Sequence, residues 1–171
     1  MGFQAGVSTS HIMPVRSRMS QLLAGIEQCG YPKKMPGPIL VVDDEPFQVL
    51  FMQKALAGFG YDVLTAASGR EALEKVRSVP VGLVLTDLSM PDLDGIGLTG
   101  ALRASGFCAG ILVVTALKSQ NQISEGYKAG ADGFVLKPVA LDVLEIVVRR
   151  ELQRQELIEE NKRLKSEREK K

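Results

Sequence analysis

Four short apolar runs in this chain each stop on a residue that a core would reject. ILVV runs into Asp43 and Asp44, GLVLT into Asp87, GILVV into Thr115, and GFVL into Lys137. The runs are rich in Val, Leu and Ile and lack the alternation of a half-exposed strand, so each reads as a strand buried on both faces. A fifth run, YDVLTA, carries Tyr61, Asp62 and Thr65 and is expected at a sheet edge. Helical segments separate them. One lies near 46–58 and ends at Gly58 and Gly60. A second starts about Arg70 with Ser68 as its N-cap. A third runs from about Gly95 to Ala104, a fourth near 120–129 stops at Gly130, and a fifth starts about Ala140. This alternation predicts βαβ units and a parallel sheet. All strand C-termini then share one edge, where open α/β folds place their sites. Three carboxylates, a hydroxyl and an ammonium should meet there in a shallow cleft, a set suited to a divalent cation and a phosphoryl group.

Charge is uneven along the 171 residues, although the net value is only +1. Residues 1–37 carry four basic and one acidic residue; residues 38–148 carry eight basic and thirteen acidic; residues 149–171 carry nine basic and six acidic. The acidic globule argues against nucleic acid contact, which needs basic surface. The basic tail interleaves Glu and reads as a solvated helix rather than a DNA arm. Cys29 and Cys108 fit no metal spacing and no disulfide framework, as expected of a cytoplasmic protein. No segment reaches the roughly 18 apolar residues of a membrane span, and no export signal is evident. His11, the single histidine, is given no role.

Three regions follow. Residues 1–37 are a leader and linker, in which Ser20 could cap a short helix over SQLLAGIEQC before the Pro- and Gly-rich YPKKMPGP. Residues 38–148 form the α/β domain. Residues 149–171 continue the last helix as a charged tail free of Gly and Pro. Leu144, Val147 and Val148 are expected against the sheet. In the tail, Leu157, Asn161 and Leu164 fit a d–a–d seam, but Arg150 and Arg154 fall on the same seam upstream. A short coiled coil and a solvated helix are both open. Glu159 with Arg163 and Glu167 with Lys171 are expected i,i+4 pairs.

Residues 38 to about 150 resemble the receiver domain of a two-component response regulator. The resemblance rests on VVDDE, TDLSMPDLDG, VVTA and GFVLKP, in that order and each at a strand end. It implies a flavodoxin-like, doubly wound five-stranded parallel sheet in the order 2-1-3-4-5 with an extended C-terminal helix. It implies that Asp87 accepts a phosphoryl group from a histidine kinase or histidine phosphotransfer protein. Asp43, Asp44, Asp87 and the Ser89 backbone carbonyl would hold Mg²⁺; Thr115 and Lys137 would bind the phosphoryl group; Phe134 would be the rotating aromatic; and Lys137-Pro138 would be cis. Beyond self-catalysed phosphotransfer and slow autodephosphorylation, such a domain is a switch and not an enzyme. Phe134 replaces the commoner Tyr and removes a hydroxyl that could bond outside.

Other readings fit the residues less well. An aspartyl-phosphate phosphatase needs a general acid two residues after the nucleophile, where this chain has Ser89. A flavodoxin needs a hydroxyl- and Gly-rich phosphate loop where this chain has DDEP. A scaffold receiver that is never phosphorylated would not need its acidic and lysine positions. Output is left open between two cases. One is a single-domain regulator acting through protein contacts. The other is a fragment whose cyclic-dinucleotide enzyme, phosphatase or kinase domain lies elsewhere. About twenty residues after the globule are too few for a helix-turn-helix domain. A homodimer through the tail or the switch face is the further expected contact.

Overall fold

A computed structural model describes residues 37–116 and 119–169, so the helix expected after Ser20, Cys29 and Lys171 lie outside the described residues. Five strands, β1 (Ile39–Val42), β2 (Val63–Ala66), β3 (Leu83–Asp87), β4 (Gly110–Thr115) and β5 (Gly133–Leu136), alternate with five helices. These are α1 (Pro46–Gly58), α2 (Gly69–Ser78), α3 (Gly95–Ala104), α4 (Gln120–Ala129) and α5 (Leu141–Glu169). All strand pairs are parallel and the order is β2-β1-β3-β4-β5. The less apolar β2 is at the edge, as its composition predicts.

The central strands are buried along their whole length, which is why their sequences do not alternate. One face of the sheet packs Ile39, Val41, Leu83, Leu85, Leu112 and Val114 against α1 and α5. The other packs Leu40, Val42, Val84 and Ile111 against α2 and α3. Helix starts follow local chemistry. Ser68 Oγ accepts the Glu71 N–H at 3.2 Å and Glu71 reaches back to the Ala67 N–H at 2.8 Å, a capping-box arrangement displaced by one residue. Lys75 lies beside Glu71 at 2.6 Å and holds its carboxyl below the usual value. Asp94 caps α3 through the Gly97 N–H at 2.6 Å.

α5 stays on the sheet past the boundary expected at residue 148. Leu144, Val148 and Leu152 are all in the core, and Glu151 and Gln155 are buried beside them. The spacing of 144, 148, 152 and 155 is a helical i, i+4 and i, i+3 stripe continuing the same face. Leu152, read from sequence as a tail residue, is 1% exposed. Past Gln155 no described residue is fully buried: Ile158 is half-buried beside a small cavity shared with Val81 and Cys108, and Leu157 and Leu164 are exposed. Asn161 donates to the Leu157 carbonyl of its own helix at 2.9 Å. Arg163 stands 3.9 Å from Glu160 and 3.8 Å from Glu167, not beside Glu159. Exposed long side chains choose among i±3 and i±4 partners of similar, small value, which spacing alone does not rank.

Candidate functional site

The strand ends deliver the expected residues to one edge. Asp43 follows β1, Asp87 ends β3, Thr115 ends β4 and Lys137 follows β5. A cleft of about 240 Å³ is lined by Asp43, Asp44, Gln48, Asp87, Ser89 and Lys137, with Thr115 on its wall. The neighbouring loops are fixed to one another by backbone bonds. Leu88 N–H donates to the Val114 carbonyl at 3.0 Å, and Lys137 N–H to the Thr115 carbonyl at 2.8 Å. Lys137-Pro138 is a cis peptide.

Lys137 is the hub. Its Nζ donates to Asp87 Oδ1 at 2.5 Å and to Asp43 Oδ2 at 3.1 Å. The remaining oxygens are held by main chain: Asp87 Oδ2 accepts the Ser89 N–H at 2.6 Å, and Asp43 Oδ1 the Glu45 N–H at 2.9 Å. Asp43, Asp87 and Thr115 are buried, whereas Asp44 and Ser89 are exposed. Burial pushes the Asp43 carboxyl above its usual value, with Asp87 adding a like charge, and the Glu45 and Lys137 hydrogen bonds do not fully offset this. For Lys137 burial acts downward, but the hydrogen bonds to two carboxylates outweigh it and hold the ammonium above its usual value. The two shifts are compatible because one lysine serves two carboxylates.

Among the described residues no three carboxylate, His or Cys side chains are gathered closely enough to cage an ion. The donor set still fits Mg²⁺, which binds through one or two carboxylates and keeps several waters. The Lys137 ammonium, seated between Asp43 and Asp87, marks where positive charge is needed.

Phe134, on β5 three residues before Lys137, is half-buried. It packs against the small cluster of Leu88, Val113 and Ala131, with its ring edge-to-face on Tyr127 at 4.9 Å. A Cβ on Gly126 would come within 2.5 Å of the ring tip, so the missing side chain on α4 makes room for Phe134. Gly95 has a sharper reason to be glycine: a Cβ there would sit 2.2 Å from the Asp87 carbonyl oxygen. Sequence reading took Gly95 only as a helix opener. That it lets α3 start against the end of β3 is a three-dimensional fact with no local signal.

The profile of the response regulator receiver domain matches residues 39–149, more than half of the chain. Transcriptional regulatory protein ZraR of Escherichia coli (strain K12) is 38% identical over 114 residues, 67% of this chain and 26% of ZraR. Sensor protein EvgS of the same organism is 34% identical over 142 residues, 81% of this chain and 12% of EvgS. The chain thus spans about a quarter or less of these relatives. Among solved structures, the receiver domain of Francisella response regulator 1452 superposes with a TM-score of 0.66 at 31% identity, covering 70% of this chain and 98% of that one. Vibrio cholerae chemotaxis protein CheY4 gives 0.65 at 31%, covering 67% and 98%. Among the described residues no helix is long and apolar enough to cross a membrane. With its sheet order, its strand-end cleft and these relatives, the chain belongs to the response regulator receiver family, the signalling domains of two-component phosphorelay systems.

Proposed function

We propose that this chain is a cytoplasmic phosphorylation switch whose phosphoacceptor is Asp87. The supporting observation is the Lys137 bridge between Asp43 and Asp87, two carboxylates buried at the strand C-termini. An oxygen of Asp87 attacks the phosphorus of a phosphohistidine; the P–N bond breaks and its electron pair stays on the imidazole of the donor. Loss of the acyl phosphate to water returns Asp87 as a carboxylate and frees inorganic phosphate. Mg²⁺, when held by Asp43, Asp44, Asp87 and the Ser89 carbonyl, supplies charge neutralisation for the phosphoryl oxygens. Lys137 shifts its ammonium from the free carboxylate to a phosphoryl oxygen, and the Thr115 hydroxyl donates to another. The modification adds about 1.5–2 negative charges at this spot. Thr115 turns toward them and Phe134 swings inward into the space left.

The donor kinase or phosphotransfer protein docks on α1 beside the cleft, where Phe47 is 78% exposed and Leu50 is also largely bare. Output uses the α4–β5–α5 face, which exposes Tyr127, Leu136, Leu141, Val143 and Ile146. A weak homodimer with parallel tails, aided by this face, is one such output; contact with a separate downstream protein is another. A second reading, a receiver piece of a larger regulator, is favoured by the small share of ZraR and EvgS that the chain spans.

Phosphorylation by acetyl phosphate tests the assignment. The intact chain should gain one phosphoryl group with Mg²⁺ and none in EDTA, and Asp87→Asn should gain none. Equal labelling of wild type and Asp87→Asn would sink the reading; labelling that persists in EDTA would remove the metal. Asp44→Ala should behave as wild type does in EDTA.

A further inference from the structure

The edge of the sheet remote from the cleft carries an ion network that the phosphoryl chemistry does not use. Its centre is Asp132, in the turn between α4 and β5 and two residues before Phe134. Asp132 Oδ2 accepts from Arg103 Nη2 at 2.6 Å and from the Ile111 N–H at 2.8 Å. Its Oδ1 accepts from Arg154, which follows the last core residue of α5, Leu152, by about half a turn. Arg103 cannot follow a displacement of Asp132 freely. Its other donors are fixed on the carbonyls of Gly130 (3.0 Å), Phe107 (2.8 Å) and Ala109 (2.8 Å).

Arg154 is differently placed. It is 45% exposed, and its guanidinium is shared between Asp132 and the buried carboxylate of Glu151, at 2.7 Å. The Glu151 hydrogen bond is the largest influence; with the charges of Glu151 and Asp132 it holds the guanidinium above its usual value against burial, which acts downward. Glu151 also accepts from Gln155 Nε2 at 2.8 Å and lies over Gly110, where a Cβ would meet its Cγ at 2.8 Å. Beyond Gln155 the described part of α5 has no fully buried side chain, and only Ile158 is half-buried, beside a small cavity it shares with Val81 and Cys108. Among the described residues, the turns that follow are therefore tied to the domain through Glu151, Leu152, Arg154, Gln155 and the partial cover of Ile158, and to the α4–β5 turn through the single pair Arg154–Asp132.

We propose that Asp132 is the joint by which a displacement of the α4–β5 segment reaches the far half of α5, so that phosphorylation is read out as a change in how firmly the turns after the core residue Leu152, up to residue 160, are docked. The proposal rests on the switch reading above, since it needs Phe134 and its neighbours to move when Asp87 is modified. A shift of Asp132 leaves Arg154 with Glu151 alone. The loss is that of one partly exposed ion pair, which changes a local opening equilibrium by about two- to fivefold. A joint of this strength can be thrown by a phosphoryl group without unfolding the domain.

Hydrogen–deuterium exchange of the full chain, with and without beryllofluoride and Mg²⁺, tests this. Wild type should respond in the peptides covering β5 and α4 and, about two- to fivefold, in those covering 152–160. Arg154→Gln should keep the first response and lose the second. Arg154→Met, which keeps the aliphatic stem but offers no donor to Glu151 or Asp132, should do the same and serves if the glutamine variant folds poorly. A tail response that persists in both variants overturns the proposal, as does a wild type in which β5 and α4 respond and 152–160 do not. No response in any segment removes the phosphoryl-switch reading itself.

Discussion

Replacing Lys137 by Met isolates what the central bridge contributes. The ammonium sits 2.5 Å from Asp87 and 3.1 Å from Asp43, with 20% of its side chain exposed. At an effective dielectric near 20, the two contacts are gross attractions of roughly 5–7 kcal/mol each, offset by desolvation and by the repulsion between the two carboxylates. Removing one partner of a buried pair typically costs about 3–5 kcal/mol, because the remaining charge is left uncompensated. Residual solvent access to Lys137 places this case near 3 kcal/mol. In EDTA at neutral pH the urea midpoint should fall by about 1–2 M. The sign with pH follows from the shifts. Asp43 is held above 3.8 in the folded chain, so its ionised form opposes folding and stability is regained as pH falls through its folded value. Losing Lys137 strengthens that effect, so the deficit of the variant should narrow in acid. Lys137 itself is held above 10.5, so its contribution is fully present below that value and is lost only as pH rises through the folded value. Across neutral pH the deficit should therefore be flat. Mg²⁺ at a hundred times its dissociation constant adds about 2.7 kcal/mol to a chain that binds it only when folded. The variant should recover more than wild type does, since no ammonium competes for the carboxylates. Equal urea midpoints for wild type and Lys137→Met in EDTA would refute the claim that two buried carboxylates depend on one cation.

Gly95→Ala should lower both stability and acetyl phosphate labelling, because its Cβ would overlap the Asp87 carbonyl oxygen at 2.2 Å and force the strand end that carries Asp87 to move; unchanged labelling rates would contradict this. Leu152→Ala should cost about 2–5 kcal/mol in urea unfolding, as expected of a core residue, whereas Leu157→Ala, 60% exposed, should stay within about 0.5 kcal/mol.

The sheet and most of the site were legible because the relevant information is local. Four of the five strands are largely apolar runs, and the site residues stand at or just past their ends. A parallel order then forces those groups onto one edge without any knowledge of packing. Helix ends at Gly58, Ala104 and Gly130 were legible for the same reason. Less legible were features that depend on two distant segments meeting. The need for glycine at 95 arises from β3, and the slot at Gly126 is defined by a ring on β5.

α5 shows how such a failure arises. Between Arg149 and Gln155 the sequence is Arg-Arg-Glu-Leu-Gln-Arg-Gln, six polar residues around one Leu. Composition alone ends the domain there. Leu152 nevertheless stands four residues after Val148 and faces the same way, and the polar residues beside it find fixed partners: Glu151 takes Arg154 and Gln155, while Arg154 also takes Asp132. Burying Glu151 and Gln155 is tolerable only because those bonds are made. The partner that completes the set, Asp132, lies 22 residues away at the foot of β5. A charged stretch therefore reads as solvated until the fold places its counter-charges, and the apparent start of the tail lies about two turns before the helix leaves the domain.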